Sequence, residues 1–210
     1  KELQTLSTNS QTVTSVAFSP DYKLLASSGT YDNNITIWDV STWTEAKSLS
    51  GHSKNVNSIA FSPDGKLLAS GSTDNDIKLW DPSSGKEIRT LRGHAYMVYE
   101  IDFSPDGKLI ASGSGDNTAR IWNVETGKEI KRLAGHTWNV NSVEFSHDGQ
   151  FVGSGSADGT TKLWDVSTGK KVWSIKGHSR GVKSVDFTKN STVLASACPF
   201  DHNIKFLDVA

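Results

Sequence analysis

Hydrophobic positions along the chain fall in short runs, each cut off by a turn signal, and no stretch carries the spacing of an amphipathic helix. Residues 51–91 show the pattern clearly. Val56, Ile59 and Phe61 anchor an extended segment that Ser62-Pro63-Asp64-Gly65 ends, because proline presets φ for a turn and glycine accepts positive φ. Leu67-Leu68-Ala69-Ser70-Gly71-Ser72 forms a second run, stopped by Thr73-Asp74-Asn75-Asp76. Ile77-Lys78-Leu79-Trp80 alternates apolar and polar as a half-buried strand does. Pro82-Ser83-Ser84-Gly85 turns again, and Glu87–Leu91 makes a fourth strand.

The same unit recurs. Gly51-His52, Gly93-His94, Gly135-His136 and Gly177-His178 stand 42 residues apart, and Trp38, Trp80, Trp122 and Trp164 keep that interval. A fixed period of this size marks one supersecondary unit copied along the chain. A meander of four antiparallel strands has two edges and cannot bury both faces alone, so the units must stack. Radial stacking leaves the fewest exposed edges. The expected fold is therefore all-β: a β-propeller of five four-stranded antiparallel blades in one domain spanning residues 1–210. The blade units are 7–49, 50–91, 92–133, 134–175 and 176–210.

The Gly-His pairs, Phe-Ser-Pro-Asp-Gly, Ala-Ser-Gly-Ser and Ile-Lys-Leu-Trp-Asp resemble the WD-repeat β-propeller family over essentially the whole chain. The resemblance implies that His, Ser, Asp and Trp of one blade form a hydrogen-bonded chain bracing its strands. The sets are His52, Ser70, Asp74 and Trp80, then His94, Ser112, Asp116 and Trp122, then His136, Ser154, Asp158 and Trp164. A metal role for the periodic histidines is disfavoured, since each lies in a different blade and a metal needs converging ligands. The end units depart from the pattern: Thr8-Asn9 replaces Gly-His in the first, and Leu207 replaces tryptophan in the last.

The resemblance also bears on closure. Lys1-Glu2-Leu3-Gln4-Thr5-Leu6 aligns with the fourth strand Lys86–Leu91, while the last unit stops after its third strand at Asp208. In related propellers an N-terminal strand completes the final blade, so residues 1–6 are expected to complete the last one. A five-blade ring closed in this way is expected to be monomeric. Rings of the family usually hold seven blades, so an excerpt of a larger ring also fits, as does an opening on Lys1 rather than methionine.

Charge narrows the function. With 22 Lys+Arg against 23 Asp+Glu the net charge is −1, without the broad basic face of a nucleic-acid binder. One basic stretch, Lys170, Lys171, Lys176, Arg180, Lys183 and Lys189, reads as a solvated face. Cys198 is the only cysteine, so no intrachain disulfide forms. It also has no activating neighbour in sequence. With no signal or membrane-spanning run, the expectation is a soluble, cytoplasmic protein. No nucleophile elbow or phosphate loop is present, and every abundant Ser, His and Asp has a place in the repeat. No catalysis, cofactor or metal is expected.

Subtracting the repeat isolates one rim, where the second-to-third-strand loops meet the connections between blades. Two residues after each Gly-His histidine position stand Gln11, Lys54, Tyr96, Trp138 and Arg180. Three further on are Thr14, Asn57, Tyr99, Asn141 and Lys183, and just before the brace aspartate are Tyr31, Thr73, Gly115, Ala157 and Phe200. Binding hot spots are enriched in Trp, Tyr and Arg. Tyr31, Tyr96, Tyr99, Trp138, Arg180, Lys183 and Phe200 are thus the candidate contact residues for a protein or peptide partner. A reader of methyl-lysine or another small cation, with Tyr96, Tyr99, Trp138 and Phe200 as its aromatic box, is the alternative. A purely structural module is the third reading. Trp43 and Trp173 lie elsewhere on the surface, and Asn190-Ser191-Thr192 matches a glycosylation acceptor only as a short motif.

Overall fold

Five antiparallel sheets, laid one after another, make up the computed structural model, which describes residues 2, 4–8 and 10–210. Among the described residues there are nineteen strands and no helix, hence none long and apolar enough to cross a membrane. Blade 1 holds β1 (Val13–Phe18), β2 (Leu24–Gly29), β3 (Ile35–Asp39) and β4 (Thr44–Leu49). Blade 2 holds β5 (Val56–Phe61), β6 (Leu68–Ser72), β7 (Ile77–Trp80) and β8 (Glu87–Leu91). Blade 3 holds β9 (Val98–Phe103), β10 (Leu109–Ser114), β11 (Thr118–Asn123) and β12 (Glu129–Ala134). Blade 4 holds β13 (Val140–Phe145), β14 (Phe151–Ser156), β15 (Thr160–Asp165) and β16 (Lys171–Lys176). Blade 5 holds only β17 (Ser184–Phe187), β18 (Val193–Cys198) and β19 (Asn203–Asp208).

Local chemistry sets the turns. In the first hairpin of blade 2, Ser62 Oγ donates to Asp64 and accepts from the Leu67 N–H, and Gly65 takes φ +71°. Gly107 and Gly149 repeat this at +70° and +72°, whereas Tyr22 and Ser191 hold the same place in the end blades at +58° and +60°. The aspartate of the Trp-Asp pair caps the next turn: Asp81 Oδ1 accepts from the N–H groups of Ser83 and Ser84, and Gly85 takes φ +78°.

The core lies between blades. The third strand of one blade packs on the first strand of the next: Ile77 and Leu79 on Val98, Ile101 and Phe103, with Leu91 and Trp122 closing the cluster. Equivalent clusters join blades 1 and 2, 3 and 4, and 4 and 5. The glycine of Ala-Ser-Gly-Ser permits this approach, since a Cβ on Gly71 would lie 2.7 Å from Val98 Cγ1.

A second link crosses each boundary at the innermost strands, whose outer edges would otherwise leave N–H groups unpaired. Ile59 and Ile101 donate to Ser15 Oγ and Ser58 Oγ, each at 3.3 Å. Val143 and Phe145 donate to Glu100 and Asp102, each at 2.8 Å, and Val185 and Phe187 donate to Ser142 and Glu144 at 3.0 and 2.6 Å.

The row does not close on itself. No comparable packing joins blade 5 to blade 1 among the described residues. The strand expected over residues 1–6 is absent from the last sheet: no described residue of that segment is in a strand, and Lys1 and Leu3 lie outside the described residues. Without a neighbour on that side, Val13, Val16 and Phe18 of blade 1 and Ile204 and Phe206 of blade 5 stay exposed.

Candidate functional site

The brace sits inside each middle blade. The histidine follows the last strand of the preceding unit, the serine lies mid-way along the second strand, and the tryptophan is the last or next-to-last residue of the third. In blade 3, Trp122 Nε1 donates to Ser112 Oγ at 2.8 Å, while His94 reaches Ser112 at 2.7 Å and Asp116 at 2.8 Å. Blade 2 repeats these contacts through Trp80, Ser70, His52 and Asp74 at 2.8, 2.7 and 2.9 Å. Blade 4 does so through Trp164, Ser154, His136 and Asp158 at 2.8, 2.8 and 3.1 Å.

One proton arrangement satisfies every group. The indole donates to the serine, the serine hydroxyl donates to Nε2, and Nδ1–H donates to an ionised aspartate. The ionisation states agree. Burial pushes His136 down to about 4 against the pull of Asp158, and lowers His94 likewise. Burial works to raise Asp158, yet hydrogen bonds from Thr160 and from the Thr137 N–H hold it at about 2. The His94 and His136 rings therefore stay neutral beside a carboxylate near neutral pH, as a buried acceptor–donor relay requires.

The end blades keep parts of this chain. Blade 5 retains His178 with Ser196 at 3.0 Å and Asp201 at 2.9 Å, and lacks only the indole. In blade 1, Trp38 Nε1 donates to Ser27 at 2.8 Å and Ser10 Oγ donates to Asp32 at 2.6 Å, while Asn9 lies outside the described residues. Cys198, expected to have no activating neighbour, lies beside this group: its sulfur and one ligand atom each of His178 and Asp201 fall within 4.8 Å of one another. Both His178 nitrogens are already hydrogen-bonded there, so the set repeats the brace of the other blades rather than opening a coordination site.

The rim residues divide into two groups. Trp138, Phe200 and the Arg180–Lys183 pair, from three separate turns of blades 4 and 5, line one cleft of about 670 Å3 together with Asn141, Ala157, Gly181 and Pro199. Its floor is small by necessity, as a Cβ on Gly181 would meet Ala157 Cα at 2.8 Å. The Arg180 guanidinium lies 5.6 Å from the centroid of the exposed Phe200 ring. Tyr96, Tyr99 and Tyr31 do not line this cleft. Tyr96 covers Gly115, Tyr99 Oη accepts from Asn139 Nδ2 at 3.2 Å, and Tyr31 stands exposed on blade 1.

At the Tyr99 position the other blades hold Thr14, Asn57 and Asn141, each donating across a blade boundary to the carbonyl of Val56, Val98 or Val182. Lys183 occupies that position in blade 5, and its side chain lines the cleft.

A comparison with protein families matches the model described as WD domain, G-beta repeat to residues 1–39, 43–81, 85–123, 127–165 and 169–208. The chain belongs to the WD-repeat family. A comparison with curated proteins found no match. WD repeats commonly act as protein-interaction scaffolds and are generally non-catalytic. The matches from residues 43, 85, 127 and 169 each begin with the outermost strand of one blade and end with the third strand of the next.

Sequence reasoning missed the carboxylates of the innermost strands. Burial raises Glu100, raises Asp102 to about 7 and raises Glu144 to about 8, with neighbouring carboxylates adding to the last two shifts. The available signal was departure from the repeat: Glu100 stands where blades 2 and 4 have Ser58 and Ser142, and Asp102 and Glu144 stand where blade 2 has Ala60.

Proposed function

We propose that this WD-repeat chain is a non-catalytic scaffold that binds a segment of a partner protein in the cleft between blades 4 and 5. The observation that carries the reading is the convergence of Trp138, Arg180, Lys183 and Phe200 from three separate turns on one cleft. Its walls are aromatic and its two charged groups are both cations. That pairing suits a peptide with an apolar or aromatic side chain laid between Trp138 and Phe200 and a carboxylate at Arg180 and Lys183. The methyl-lysine alternative fares worse: a trimethylammonium entering the cleft meets two positive charges, and the Phe200 face is already taken by Arg180.

Selection of a phage-displayed random peptide library on the protein tests this directly. Sequences carrying Asp or Glu beside an aromatic residue should be enriched, and should lose binding at least tenfold to the Trp138→Ala/Arg180→Ala/Phe200→Ala variant. Enrichment of basic sequences, or equal binding to that variant, overturns the assignment. A trimethyl-lysine peptide binding more tightly than its acidic counterpart would favour the alternative.

A further inference from the structure

We propose that the outer edge of blade 4 binds a carboxylate supplied by another molecule, seated between Lys162, Lys171 and Ser174. None of these residues lines the cleft between blades 4 and 5. Blades 2 and 3 hold the same site filled from within the chain. In blade 2 the third strand carries a buried cation, Lys78, and Glu87 of the fourth strand places Oε2 2.8 Å from its Nζ. Thr90 Oγ1 accepts from Lys78 at 2.9 Å and donates to Glu87 Oε1 at 2.5 Å. Blade 3 repeats the ion pair through Arg120 Nη1 and Glu129 Oε2 at 2.6 Å.

Blade 4 keeps the cation and loses the acid. Lys162, only 5% exposed, stands in the place of Lys78 and Arg120, and its Nζ donates to Ser174 Oγ at 2.6 Å. Trp80 pairs with Glu87 and Trp122 with Glu129 across the third and fourth strands, but Trp164 pairs with Lys171. The space is left open as well. A Cβ on Gly51 would meet Glu87 Oε2 at 3.0 Å and one on Gly93 would meet Glu129 Oε2 at 3.4 Å, whereas on Gly135 it would meet only Trp164 Cη2, at 3.3 Å. Burial lowers the Lys162 pKa and the charge of Lys171 lowers it further, while Asp158 draws it the other way. The Asp158 oxygens are already held by His136, Thr160 and the Thr137 N–H.

A buried cation without a counter-ion is costly, and a second cation beside it adds to the cost. An incoming carboxylate restores what blade 4 lacks. One oxygen takes the place of Glu87 Oε2 at the ammonium groups, and the other accepts the Ser174 hydroxyl hydrogen as Glu87 Oε1 accepts that of Thr90. The carboxylate comes from a small acid or from an acidic side chain of another protein.

Nuclear magnetic resonance of isotope-labelled protein, with chloride exchanged for acetate at constant ionic strength, tests the site. The Gly135 amide and Trp164 indole signals should shift saturably. A blocked tripeptide carrying one glutamate is titrated in parallel, and the tighter of the two ligands names the source. Lys171→Glu rebuilds the internal ion pair, so it should melt above the wild type in chloride and show no saturable shift with either ligand. Lys171→Gln removes one charge without supplying an acid, and should bind more weakly than the wild type. Shifts that persist in Lys171→Glu, no saturable shift in the wild type, or tighter binding of inorganic phosphate than of acetate overturns the proposal.

Discussion

Substituting the brace serine with alanine should cost about twice as much in blade 3 as in blade 5. Ser112 Oγ accepts from Trp122 Nε1 at 2.8 Å and pairs with His94 Nε2 at 2.7 Å, so Ser112→Ala orphans two buried groups. Ser196 pairs only with His178 Nε2, because Leu207 has replaced the indole. Ser112 and Ser196 are both fully or almost fully buried, so water does not rescue either site. A buried group left unpaired costs about 1–3 kcal/mol. The loss should therefore be roughly 2–6 kcal/mol for Ser112→Ala and about half that for Ser196→Ala, since the orphans are two and one. At roughly 2–4 °C per kcal/mol for a domain of this size, the two melting temperatures should separate by several degrees. Urea titration of both variants, with Ser154→Ala as a repeat of the two-orphan case, reads the costs independently of temperature. Equal losses in blades 3 and 5, or no loss at Ser112, would refute the additive relay described above.

Two further outcomes follow from other parts of the molecule. Glu144 has its folded pKa raised to about 8 by burial and by the nearby Asp186 and Asp102. Its contribution to stability is complete at acid pH, below the ordinary carboxylate value, and is lost as pH rises toward 8. Glu144→Gln should melt like the wild type at pH 5 and higher than it at pH 8.5, and identical pH slopes would contradict the shift. Tyr22 is exposed and holds φ +58° where Gly65, Gly107 and Gly149 stand in the middle blades. Tyr22→Gly relieves a left-handed conformation and should add up to about 1 kcal/mol in urea titration, a loss being the contrary result.

The strand pattern was legible because its causes are local. Turn residues, alternation and the 42-residue period act within one unit, and Ser62-Pro63-Asp64-Gly65 makes the same hydrogen bonds wherever it is copied. Subtracting the repeat also found four of the residues lining the blade 4–5 cleft. Tyr96 and Tyr99 stand outside that cleft, since a large ring on a rim turn can also lie over a neighbour such as Gly115 or receive a hydrogen bond such as that from Asn139 Nδ2. Nothing in one residue's type distinguishes these uses from waiting for a partner.

The end faces were illegible for a different reason. Val16 reads like Ile59, and Phe206 like Ile121, because the same apolar residue type serves an interface whether or not the neighbouring blade is present. Burial at a blade boundary is a property of the pair, and a single repeat carries only half of it. The innermost strands show the same division: Asp102 and Glu144 meet N–H groups 2.8 and 2.6 Å away, while Asp186, third in that series, meets none from a following blade. The repeat specifies a joint at each end of every unit. Whether a joint is filled depends on what lies beyond the unit, so the two unfilled joints appear only once the five blades stand side by side.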